Sequence, residues 1–84
     1  MSVVVMRNNI APNETNVFFS ESEHRFNTGE LEGFLEGLMQ DNKLHMFSIR
    51  KGERIDLAFD MNQPEQMQLR DETAEKVKKF IEEH

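Results

Sequence analysis

The chain contains no cysteine, so disulfides, thiolate zinc sites and cysteine nucleophiles are excluded, and stability has to come from packing or from a partner chain. Long apolar runs are missing as well. The N-terminal run Val3 to Val5 is too short for a signal-peptide core and has no basic leader, and nothing approaches the ~20 apolar residues of a spanning helix. A cytoplasmic protein with no membrane contact is the expectation. On that reading the sequon-like Asn13-Glu14-Thr15 never meets the glycosylation machinery. Positive charge is also scarce, with 10 Lys and Arg against 16 Asp and Glu and a formal net charge of -6. Direct nucleic-acid binding is therefore not expected, because phosphate recognition needs a basic footprint.

What remains is enough for one small folded unit. At 84 residues, with 37% hydrophobic and 31% charged positions, the chain is neither membrane-like nor depleted in the manner of disordered segments. A single domain over residues 1–84 is expected, burying only about 60% of the surface its unfolded chain exposes. No internal repeat, low-complexity tract or linker divides it.

Hydrophobic periodicity predicts an α+β fold. The β-branched run from Ser2 to Met6 reads as a strand, and Asn8 to Glu14 as a turn region. Val17-Phe18-Phe19 resumes a strand that the alternation carries on through His24-Arg25-Phe26, giving a long first hairpin. Asn27 is placed to cap a helix, with Glu30 reaching back in capping-box fashion. Leu31, Phe34, Leu35, Leu38 and Met39 then recur at i, i+3, i+4, i+7 and i+8, which gathers them on one stripe. Asp41-Asn42 supplies the stop, Asn being tolerated in the left-handed cap conformation.

A second hairpin follows, with Lys43 to Lys51 and Ile55 to Met61 as alternating strands joined at Lys51-Gly52-Glu53. The stretch from Asn62 to Arg70 is ambiguous: Pro64 suits a first helical turn, whereas Met67 and Leu69 alternate. We favour a short strand from Met67 to Arg70, followed by a final helix capped by Asp71 and packed through Ala74, Val77, Phe80 and Ile81. The expected architecture is an antiparallel sheet of roughly four to five strands with two helices packed on one face, in the order β-β-α-β-β-(β)-α.

The candidate site is a row of glycines. Gly29, Gly33 and Gly37 recur every fourth residue and, at about 100° per residue, fall on one flank roughly opposite Leu31 and Leu38. Glu30, Glu32 and Glu36 accompany them. An interior glycine costs roughly 0.5–1 kcal/mol relative to Ala, so an outward row calls for a compensation such as close approach by another molecule. These glycines and glutamates are the expected partner-binding residues. The bland alternative is that Gly29 belongs to the cap and the others are tolerated.

Charge adds further readings. From Ser20 to Asn42 the acidic residues Glu21, Glu23, Glu30, Glu32, Glu36 and Asp41 face only Arg25, and Lys43, Arg50, Lys51 and Arg54 follow. The acidic stretch serves solubility, or imitates a phosphate track and so inhibits a nucleic-acid-handling protein. The opposite patches also make a self-complementary dimer conceivable.

No catalytic or metal constellation emerges. His24, His45 and His84 lack helical metal-ligand spacing, and neither metal nor cofactor is expected. His45 alternates with Phe47 and Ile49, which predicts half-burial. Asp56 and Asp60 share a strand face with Arg54, where salt bridges explain them better than glycosidase chemistry. Met39, Met46 and Met61 fall on predicted core stripes. The leading expectation is a non-enzymatic protein-binding accessory or regulatory module, with a homodimer as one form such contact takes. The alternative is the acidic, phage-type inhibitor, and an enzyme whose site is shared between chains, with His45 or His24 contributing, comes third.

Overall fold

The computed structural model describes residues 3–20, 27–50 and 53–83. Its elements are β1 (Val4–Arg7), β2 (Glu14–Phe18), α1 (Thr28–Gln40), β3 (Met46–Arg50), β4 (Arg54–Ala58), α2 (Pro64–Gln68) and α3 (Arg70–Glu83). The strands form one antiparallel sheet of 4 strands in the order β1-β2-β4-β3. This is the α+β fold that the periodicity predicts, with helices packed on the sheet.

Alternation decides which residues enter the core. Thr15 and Val17 on β2, and Ile55 and Leu57 on β4, are buried, and Phe19 and Phe59 extend the same face just beyond each strand. Against that face lie Leu31, Leu35 and Leu38 of α1 and Ala74, Val77 and Ile81 of α3. The two helices meet where the Phe34 and Phe80 rings stack, with centroids 4.7 Å apart and planes at 17°. α3 lies over β1 and β2, and the C-terminal part of α1 borders Phe47 of β3. β1 and β3 are thus the outer strands of the sheet.

The first helix has local causes at both ends. Asn27 Oδ1 accepts a hydrogen bond of 2.7 Å from Gly29 N–H, satisfying one of the free donors of the opening turn. At the other end Asn42 takes φ 58°. Lys43 N–H then reaches Leu38 C=O at 2.8 Å and Asn42 N–H reaches Met39 C=O at 3.1 Å, the paired closure of a Schellman motif.

Several expectations are corrected. Met67 to Arg70 is not a fifth strand: Pro64–Gln68 forms α2 and Arg70 already begins α3. The alternation of Met67 with Leu69 is too short to specify a strand, while Pro64 in the first turn is preorganised for a helix. Asp71 lies inside the first turn of α3 instead of capping it. Met61 is 62% exposed, because β4 ends at Ala58 and the strand period no longer applies. Met46 and Met39 are exposed as well. The former sits on the sheet face that no helix covers, and the latter at the margin of the α1 stripe. His45 precedes β3 and is exposed rather than half-buried. The proposed continuation of the first hairpin through residues 21–26, the Lys51-Gly52 part of the second turn and His84 lie outside the described residues.

Candidate functional site

The flank of α1 opposite its leucines is bare. Glu30, Glu32, Gly33 and Glu36 are exposed and Gly37 is half-buried. A methyl group added at Gly33 or Gly37 would meet nothing within 4 Å among the described residues. Among the described residues, then, no strand or helix makes the close approach that would explain a glycine there. Gly29 differs: an added methyl would stand 3.0 Å from Asn27 Oδ1, the atom that caps the helix. Gly29 is accounted for by the cap, and the open row reduces to Gly33 and Gly37 with the surrounding glutamates.

The expected basic patch is tied down by neighbouring carboxylates. Arg54 Nε donates to Asp56 Oδ1 at 2.8 Å, and its Nη1 lies 3.3 Å from Glu53 Oε1. Arg50 Nε stands 3.9 Å from Asp56 Oδ2, and Lys43 Nζ stands 4.0 Å from Glu65 Oε1. Asn16 Nδ2 also donates to Asp56 Oδ1, at 2.6 Å. Asp56 thus organises a polar cluster at the centre of the outer sheet face, hydrogen-bonded to Arg54 and Asn16 with Arg50 close by.

Around that cluster the outer face turns apolar. Registry sets Met6 beside Asn16 and Val4 beside Phe18. Val4 is 49% and Met6 55% exposed. A shallow depression of about 210 Å³ lies at the other corner, between Glu14, Met46, Ser48 and Asp56. A larger open trough of about 590 Å³ runs along β1 against α3, flanked by Asp71, Glu75 and Lys78. Within it Arg7 Nε donates to Asp71 Oδ1 at 2.9 Å, and a second guanidinium nitrogen of Arg7 bonds Asp71 Oδ2. The guanidinium holds the Asp71 carboxyl below its ordinary value, chiefly by hydrogen bonding.

Comparison with protein-family models, curated proteins and solved structures finds no match to the chain. The geometry alone has to indicate a role. Among the described residues no group of three or more His, Asp or Glu side chains comes together in an arrangement that could hold a metal ion. The depressions described above are open surface features rather than enclosed clefts.

The apolar edge at β1 was not singled out from the sequence, although a signal was there. Val3-Val4-Val5-Met6 offers no polar residue on either face, whereas a strand with one solvated face normally alternates.

Proposed function

We propose that the chain is a cytoplasmic, non-enzymatic protein-binding module that acts as an accessory or regulatory factor through surface contact. The observation carrying this reading is the open space at Gly33 and Gly37. Two helix-weakening residues occupy mid-helix positions where the fold itself has room for a side chain. A compensation absent among the described residues is supplied by a partner whose backbone comes close to α1. The exposed Glu30, Glu32 and Glu36 give that partner surface a preference for basic side chains, expressed mainly in association rate and specificity.

The test compares wild type with the Gly33→Ala/Gly37→Ala variant as baits in lysate of the native cell, with bound proteins identified and their affinities measured. A prey bound by wild type and weakened at least tenfold by the more heat-stable variant supports the module. Equal capture by both, or no specific prey, overturns it.

A further inference from the structure

Among the described residues, the outer edge of β1 is left without a partner strand. Asn8 N–H donates to Glu14 C=O at 3.0 Å, and hydrogen-bonded and non-bonded pairs alternate along antiparallel strands. With Val4 paired to Phe18 and Met6 to Asn16, the even-numbered residues of β1 direct their backbone groups to β2. The bonds Phe19 N–H to Glu53 C=O and Phe59 N–H to Asn13 C=O assign the odd-numbered residues of β2 to β4, which agrees. Val3, Val5 and Arg7 therefore turn their N–H and C=O groups away from the sheet. No strand among the described residues takes them up. Natural edges are commonly blunted by Pro, a bulge or inward-pointing charge; β1 has no proline and pairs with β2 without a bulge, and its one charge on the helix side, Arg7, is already bonded to Asp71 of α3.

We propose that this edge pairs with β1 of a second copy, antiparallel about a twofold axis through Val5, joining two sheets into one continuous sheet. The proposal rests on the reading that the chain works by protein contact. The register centred on Val5 satisfies all the outward groups at once: Val5 exchanges bonds with Val5 of the second copy, and Val3 does so with Arg7. It also lays Val4 beside Met6 of the second copy on the outer face, covering the half-exposed apolar side chains at that edge.

Charge favours this occupant. Along the trough beside β1, α3 presents Asp71, Glu75 and Lys78 in that order. Antiparallel docking reverses the order in the second copy, bringing each Lys78 toward the acidic end of the facing helix. The β3 edge lacks this complementarity. Beside it α1 presents the exposed Glu36 next to Phe47, with no cation of α1 alongside, so the same operation there brings no matching opposite charge from the helices. Pairing β1 with β3 of another copy is heterologous and would not close as a twofold dimer.

The test is mass by size-exclusion chromatography with light scattering, on wild type and two variants. Val5→Pro removes the outward donor at the axis without touching a bond to β2, since proline is accepted on edges where the N–H faces solvent. Val4→Lys/Met6→Lys places like charges directly opposite across the proposed seam, at side chains already half exposed, and keeps the test decisive if the proline variant does not fold. Wild type is expected at twice the 9.9 kDa chain mass, with each folded variant at least tenfold more dissociated. A wild type that stays monomeric on the order of 100 µM, or a dimer that survives the double lysine variant, overturns the proposal. Prey capture through Gly33 and Gly37 is a separate readout on the other helix. A monomer that still captures prey rejects only the dimer, and a β1-dependent dimer without prey upholds the dimer while rejecting only the α1 surface.

Discussion

Gln66 Nε2 donates to Asn42 Oδ1 at 2.8 Å, joining the residue that ends α1 to the short helix that follows the sheet. The same amide accepts at Oε1 from Asp60 N–H, also at 2.8 Å. One side chain, 3% exposed, thus bonds α2 to the exit of β4 and to the left-handed residue at the end of α1. Removing it breaks both bonds, one to half-buried Asp60 and one to exposed Asn42, and leaves α2 without its buried polar anchor. We predict that Gln66→Leu destabilises by about 1–3 kcal/mol. At roughly 4–8 °C per kcal/mol for a domain of this size, a thermal melt reads the loss directly. Asn42→Gly should lose less, because glycine relieves the positive φ while giving up the same bond.

The Thr15 hydroxyl is the opposite case. Thr15 is fully buried on the inner face of β2, and its Oγ1 has no hydrogen-bond partner among the described residues. Thr15→Val keeps the branched shape that suits a strand and replaces the unsatisfied hydroxyl by a methyl group. The expected outcome is a gain of about 1 kcal/mol, seen as a higher denaturant midpoint at unchanged slope. A loss of stability would show that the hydroxyl has a partner after all.

Gln66 and Thr15 mark what the sequence could reveal. Features with causes within a turn or two were legible: the leucine stripe of α1, its Asn27 cap, the left-handed stop at Asn42 and the inward face of β4. The outward direction of Gly33 and Gly37 was legible too, because helical period assigns both flanks once the core stripe is known. Gln66 was not, since its partner lies 24 residues away and nothing local distinguishes it from exposed Gln63 or Gln68. The helix at Pro64–Gln68 was lost to a two-residue alternation. The exposed edge of β1 depends on β2 pairing with β4, and strand order is set by long-range packing rather than by the local pattern.

Asp71 ties α3 to β1 in a pH-dependent way. Its carboxyl is held below its ordinary value by Arg7, so the folded state releases the proton more readily than the unfolded chain. The stabilisation is fully present above the unfolded carboxyl value of about 3.9 and is lost as pH falls through the lower folded value. The side chains are 52% and 62% exposed, so solvent and salt keep the contribution small. In low-salt buffer, Asp71→Asn should melt slightly below wild type at neutral pH. The difference should vanish in strong acid; a difference that persists there would mean the substitution acts through packing or the opening turn of α3.

Gly33 and Gly37 allow stability and binding to be separated. Since an added methyl meets open space at either position, alanine introduces no clash and restores helix propensity. Each replacement should stabilise by about 0.5–1 kcal/mol. The positions are one helical turn apart, close enough for the two methyl groups to interact, so the double variant measures whether the gains add. Gly29→Ala is the internal control. Its added methyl would press on Asn27 Oδ1 at 3.0 Å, disturbing the hydrogen bond that caps the helix, and it should give a smaller gain or a loss. If all three substitutions raised the melting temperature equally, the distinction between the cap glycine and the open flank would fail. If Gly33→Ala and Gly37→Ala destabilised the isolated chain, another part of it would have to lie against α1, leaving no free surface there for a partner.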